Sequence, residues 1–331
     1  SYSVTGVQTC ALPIWREAVA GTPVKAQALA SFIPRDSMGH QTTTIESQSG
    51  SVPDRMLRDI KPGLWHEQGT LNVEVQPEGG FLVALLALMG AHADTGPTDL
   101  CYTHTFKTSG TPDPVTLVEI MQQETPYAHV YPGGYIYGME LGINKDGILE
   151  AALQAMAQKV WEYDATKGGT SWANVVNSFA TSTSPTIPGI GLGISLDGGS
   201  TIDTDVLPDG NLGVASSIKP LHTLNRSRHP SRFGFGRQLV SGTFNKLFST
   251  MDEVKKFFGL SSGALYTLQP GTVLGEYDLV YDWIGELAGT TTYYELKARM
   301  RKTKLIAYSA PIAGEERSEE HTSELQSPNT I

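Results

Sequence analysis

The sequence predicts a mainly β chain with short helices, and three observations carry that expectation. Its 331 residues include 35 Gly and 13 Tyr, with abundant Thr and Val, a composition suited to strands separated by tight turns. Asp146-Gly147 stands between two apolar-rich runs, as a hairpin turn requires. Asp197-Gly198-Gly199 interrupts "GISLDGGSTIDTDV" in the same manner. The length suffices for one large core or two smaller ones.

The two ends do not share this pattern. "SVTGVQTCALPI" (Ser3–Ile14) and "RSEEHTSELQS" (Arg317–Ser327) carry no hydrophobic period, cap or turn that continues into their neighbours. One DNA string encodes Ser318–Gln326 with its flanks, its reverse complement encodes Val4–Ile14, and the string resembles a sequencing-library adapter. Residues 1–14 and 317–331 are therefore set apart from fold reasoning as adapter-derived scars. The remainder divides into a β-rich unit over 15–165, a Gly/Ser/Thr-rich linker over 166–188 and a second β-rich unit over 189–316.

Taken along the chain, "FLVALLALMG" (Phe81–Gly90) is apolar all round. It has about half the ~20 residues a bilayer span needs, so it reads as a buried core helix. "YIYGMELGINKDGILEAALQAMAQKVWEY" reads as a hairpin about Asp146-Gly147. Its second arm also fits helical spacing at Leu149, Leu153, Met156, Val160 and Tyr163. Strand is preferred, because the Asp-Gly turn ties that arm to its partner. "GISLDGGSTIDTDV" (Gly193–Val206) reads as a second hairpin. "KARMRKTK" (Lys297–Lys304) alternates charge with Ala298 and Met300, as an edge strand guarded by lysines would. "GTLNVEVQPEGGFLVALLALMG" from Gly69 and "GTFNKLFSTMDEVKKFFG" from Gly242 share a strand-then-helix order. Duplication of one β-rich unit and chance both account for so few identities.

The formal net charge is −10, and near −8 once the C-terminal tail is set aside. Such a balance repels phosphates and argues against tight nucleic-acid binding, though not against a surface past which DNA slides. With Cys10 in the N-terminal scar, Cys101 stands alone, which excludes a disulfide framework and a thiolate metal cluster.

Catalytic patterns fail on context. "GLSSG" (Gly259–Gly263) matches G-x-S-x-G, but a helix-like segment precedes it and a strand-like one follows, the reverse of a nucleophile elbow. A helix-ending glycine and a loop fit better. "GIGLGISL" lacks the dinucleotide spacing, and there is no phosphate-binding loop motif. His92 with Asp94, or His222 with His229, could hold a metal; scattered surface or packing histidines are the preferred account. No catalytic residue, cofactor or metal is expected.

The sharpest charge feature is "NRSRHPSRFGFGR" (Asn225–Arg237), with Arg226, Arg228, Arg232 and Arg237 interleaved with Phe233 and Phe235. Such a loop can dock on an acidic neighbouring subunit, lie solvated, or bind nucleic acid. Docking is favoured in an acidic protein.

The order of these features resembles a family, the tail tube proteins of long-tailed bacteriophages. "REAVAGTPVKAQALASFIPRDSM" resembles that family's opening turn and extended segment, and "GLWHEQGTLNVEVQPEGGFLVALLALMGA" its strand-and-helix core. "TGPTDLCYTHTFKTSG" resembles the following strand, "YIYGMELGINKDGILEAALQAM" the paired strands, and "RQLVSGTFNKLF" with "DEVKKFFG" the later strand and helix. The resemblance covers most of Arg16–Ile312. It implies a β-sandwich or barrel-like unit, in one or two tandem copies, that joins others edge to edge. The rings formed would hold six chains or three doubled ones, and would stack into a tube that conducts DNA. It further implies a virion protein assembled in the host cytoplasm, with itself and other phage tail proteins as partners and no membrane. Ser47–Trp65 and Leu224–Arg237, long and polar, are the expected ring-to-ring contacts. The rivals are a related terminator, adaptor or baseplate ring, and a carbohydrate-binding β module offering Trp161, Trp172 or Trp283 as platforms.

Overall fold

A computed structural model describes residues 2–9, 39–46, 60–77, 80–99, 101–108, 112–121, 127–144, 147–162, 185–204, 206–223, 227–246 and 276–304. The "GLSSG" segment, Trp172, Arg226, most of the linker, and the helix expected after Gly242 lie outside the described residues.

Among the described residues the chain is built of strands and one α-helix. In order these are β1 (Tyr2–Thr9), β2 (Gly39–Glu46), β3 (Ile60–Glu74), α1 (Gly80–Met89), β4 (Gly90–Thr98), β5 (Cys101–Thr108) and β6 (Val115–Met121). Then come β7 (Tyr127–Asn144), β8 (Glu150–Ala157), β9 (Trp161–Glu162), a 3₁₀ turn (Gly189–Gly191), β10 (Leu192–Ser195), β11 (Val206–Leu221), β12 (Arg232–Lys246), β13 (Glu276–Leu287) and β14 (Tyr293–Lys304). One six-stranded sheet runs β10-β13-β14-β1-β5-β4. An eight-stranded sheet has the path β12-β11-β7-β8-β3-β2, with β6 and β9 also on β7. Strands from both sides of residues 166–188 share each sheet.

The chain divides into two compact units, one of residues 1–248 and 278–301 and the other of 249–277 and 302–331. The core belongs to the first unit. Eight residues of α1 are buried, as the all-apolar run requires. They share one cluster with Met139 and Leu141 of β7, Ala151 and Leu153 of β8, Leu212 and Val214 of β11, and Tyr281, Trp283, Leu296 and Ala298 of β13 and β14. The helix expected at Phe81–Gly90 is therefore a core helix.

The two arms expected on either side of Asp146-Gly147 do pair, with Lys145 and Asp146 themselves outside the described residues. β7 and β8 pair antiparallel from Gly142↔Glu150 to Tyr135↔Met156. Ala151, Leu153 and Ala155 are buried on alternate positions of β8, the strand period, and the helical spacing of the same leucines goes unused.

Two expectations are corrected. Asp197-Gly198-Gly199 is a tight turn, with φ of +88° and +90° at the two glycines, but it does not close a hairpin. β10 pairs with β13, Leu192↔Trp283 to Ser195↔Val280, whereas β11 pairs with β7 and β12 in the other sheet. The turn carries the chain from one sheet to the other, and Asp197 Oδ1 accepts the Ser200 and Thr201 N–H groups, both at 3.1 Å, to hold it. The second correction concerns Lys297–Lys304, which lies on β14 between β13 and β1 rather than at an edge. Its charges are tied to neighbouring carboxylates: Lys297 Nζ lies 3.0 Å from Asp282, and Arg299 Nε donates to Asp278 at 3.0 Å.

β1 falls in the segment set apart as a scar. It pairs with β14 from Tyr2↔Met300 and with β5 from Ser3↔Lys107 to Thr9↔Tyr102.

Candidate functional site

Arg228, Arg232 and Arg237 are exposed, but not on one loop. Arg232 and Arg237 lie on β12, which pairs with β11 from Val206↔Lys246 to Leu221↔Arg232 and ends its sheet's path. Over its described part, Ser227–Arg237, the expected loop is thus corrected to a short bend followed by strand. The physical reason is the period-2 placement of Phe233 and Phe235, which turns both rings to one face. Phe233 is 6% exposed and packs against Tyr135 with centroids 5.4 Å apart; Phe235 meets the same ring at 5.0 Å. Rings engaged in this way are not open platforms for bases.

Arg228 belongs to a second arrangement. The Trp65 backbone N–H donates to the Arg228 carbonyl at 3.0 Å, and the Arg228 guanidinium sits 5.7 Å from the Trp65 ring centroid. The Trp65 indole N–H donates to His229 Nδ1 at 2.5 Å. The ends of the two segments expected as ring contacts, Ser47–Trp65 and Leu224–Arg237, therefore meet. Ile60–Trp65 is itself the start of β3.

Of the two histidine pairings read in the sequence, His92 with Asp94 is formed and His222 with His229 is not. His229 joins Trp65 rather than His222, whose Nδ1 is buried with no hydrogen-bond partner among the described residues. His92 does meet Asp94, and His104 joins them. Cross-strand pairing sets Asp94 opposite His104 and His92 opposite Phe106, which gathers the three polar side chains on one face of the β4–β5 hairpin. Burial, partly offset by Asp94, holds the His92 imidazole below its ordinary pKa.

A further polar cluster was not read from the sequence. Lys297 Nζ on β14 lies 3.0 Å from Asp282 of β13 and 2.7 Å from Glu295. Burial, then the neighbouring Glu295, pushes the Asp282 carboxyl up to about 6. Its Oδ1 is buried with no hydrogen-bond partner among the described residues. No local motif marks it, since strand alternation turns Asp282 to the face opposite its fully buried neighbour Trp283.

Of the three tryptophans weighed as sugar platforms, Trp283 is 0% exposed and stacked on Tyr281 at 5.7 Å. Trp161 is exposed, with the Lys159 ammonium 4.4 Å from its ring centroid. The space enclosed by α1, β7, β11, β12 and β14 measures about 20 Å³ and is lined by Phe81, Leu85, Met139 and Leu212, among others. That is room for about one water, not for a substrate. No described helix is long and apolar enough to cross a membrane.

Comparison with curated proteins gave no match. The family model described as "Phage tail tube protein" matches residues 8–297, most of the chain. A mainly β subunit with exposed sheet edges accords with that match, and the chain belongs to the phage tail tube protein family, whose members are structural proteins of the virion tail.

Proposed function

We propose that copies of this chain join edge to edge into rings that stack as the tail tube, and that β12 supplies one joining edge. The supporting observation is β12 itself, 15 residues long and exposed over most of its length, at the end of the eight-stranded path. A strand edge of that length pairs readily with another chain, and enclosing it within a ring removes the liability. Arg232 and Arg237 would meet acidic groups of the adjacent copy, favoured by the net charge of −10. The same charge, facing a lumen, would let DNA pass without the counterion release that makes it adhere.

The tube needs no catalysis and no cofactor; its partners would be further copies of the chain and other tail proteins, meeting in the host cytoplasm. Both six chains per ring and three doubled chains satisfy closure. Negative-stain microscopy of concentrated protein is the test. Hollow tubes are expected, and end-on views separate sixfold from threefold rings. A protein that stays monomeric at high concentration overturns self-assembly.

A further inference from the structure

We infer that His92, Asp94 and His104 form a binding site for one divalent first-row transition metal ion, of the kind that takes imidazole and carboxylate ligands together. Three ligand atoms converge. Asp94 Oδ1 lies 2.6 Å from His92 Nε2 and 2.5 Å from His104 Nδ1, and the two ring nitrogens are 3.0 Å apart. With metal–ligand bonds of roughly 2.0–2.1 Å, adjacent ligands of an octahedral ion stand about 2.9 Å from one another. The site is therefore at that spacing to within about half an ångström. Asp94, whose side chain is 49% exposed, is the ligand able to swing outward.

The surroundings are those of a built site. β4 and β5 fix the three residues by register, Asp94↔His104 and His92↔Phe106. His104 is 3% exposed and Phe106 0%. The Phe106 ring lies 4.9 Å from that of His92, and the two imidazoles are stacked 5.2 Å apart. Packing against the Phe106 ring restrains the His92 imidazole, and the exposed Asp94 carboxylate leaves the cluster open to a cation from solvent. Two neutral imidazoles and one carboxylate leave the remaining coordination positions to water. The ion would cross-link β4, which ends the six-stranded sheet, to β5. No redox step is involved.

The test is titration of the full chain, stripped with chelator, with Zn²⁺ by calorimetry and with Co²⁺ by visible absorption. One equivalent should bind with micromolar or tighter affinity. His92→Ala and Asp94→Asn, both outside the buried core, should each lose that equivalent or weaken it at least tenfold, with circular dichroism unchanged. A wild-type protein that binds no ion, or variants that bind it equally well, overturns the proposal. X-ray absorption of the Zn²⁺-loaded wild type decides without any variant: two imidazole scatterers with oxygen ligands support the site, and any other imidazole count overturns it.

Discussion

The Asp99 carboxylate accepts the backbone N–H of Thr291 at 2.8 Å, across 192 residues of chain. The same oxygen takes the Thr292 N–H at 3.1 Å, and the other takes the Thr290 hydroxyl at 2.5 Å. One side chain thus clasps the β4–β5 turn to the β13–β14 turn, although β1 lies between β14 and β5 in the sheet. These hydrogen bonds, the Thr290 hydroxyl's first, hold the Asp99 carboxyl well below the usual carboxylate range. A carboxylate with a depressed folded-state pKa contributes stability that is present above its unfolded pKa, near 4, and is lost as pH falls further. Asp99→Asn should lower the thermal midpoint at pH 7 and flatten the loss of stability between about pH 4 and pH 2. Unfolding scans of both proteins across that range check it, and parallel curves would remove the clasp.

Close approach of backbones gives a second prediction. A Cβ at Gly191 would collide with the Ile284 carbonyl oxygen, so the 3₁₀ turn could no longer sit against β13. Among the described residues nothing lies within 4 Å of a Cβ at Gly142. Gly191→Ala should cost about 1–3 kcal/mol. Gly142→Ala should be neutral or stabilise by up to about 1 kcal/mol. Denaturant midpoints measured side by side separate the two.

What the sequence disclosed follows the range over which each interaction acts. The Asp146-Gly147 signal and the apolar run of α1 are local facts, and the β7–β8 pairing and the core helix they predict both stand in the structure. Asp197-Gly198-Gly199 was legible as a turn, but its strand partners were not, because β10 finds Trp283 and Tyr281 some ninety residues onward. In the basic segment the charges drew attention while the alternation of Phe233 and Phe235 went unused. That alternation was the stronger local signal, since it turns both rings onto Tyr135. The His92–Asp94 spacing was visible; His104 could be added only once the β4–β5 register was known. Asp282 left no motif at all, its setting being made by burial beside Glu295 and Lys297.

Asp282 yields a pH dependence of the opposite sign to that of Asp99. Its folded pKa, about 6, lies above the unfolded value near 4, so folding favours the neutral carboxyl. The native state then holds a proton that the unfolded chain has released, and stability falls as pH rises from about 4 to 6 and levels off above. Asp282→Asn should abolish that slope and raise stability at pH 7 by about 1–2 kcal/mol, the full shift being reduced for partial exposure. Wild-type and variant curves that stay parallel between pH 4 and 6 would contradict this.

The last prediction concerns assembly rather than folding. Arg232 and Arg237 are exposed on β12, so reversing their charge leaves the core untouched and should change subunit stability by less than about 0.5 kcal/mol each. At a joined edge the same change sets like charges against the acidic neighbour and costs several kcal/mol, about what separates tube from free subunit at micromolar concentration. Arg232→Glu with Arg237→Glu should therefore give a soluble subunit with wild-type circular dichroism and no tubes. Lysine at both positions should restore them in part, because the charge returns without the bidentate fork. Tubes of normal length from the double-glutamate protein would show that β12 lies away from the joint. The search for the ring contact would then move to the Trp65–Arg228 bend, where the two polar segments meet.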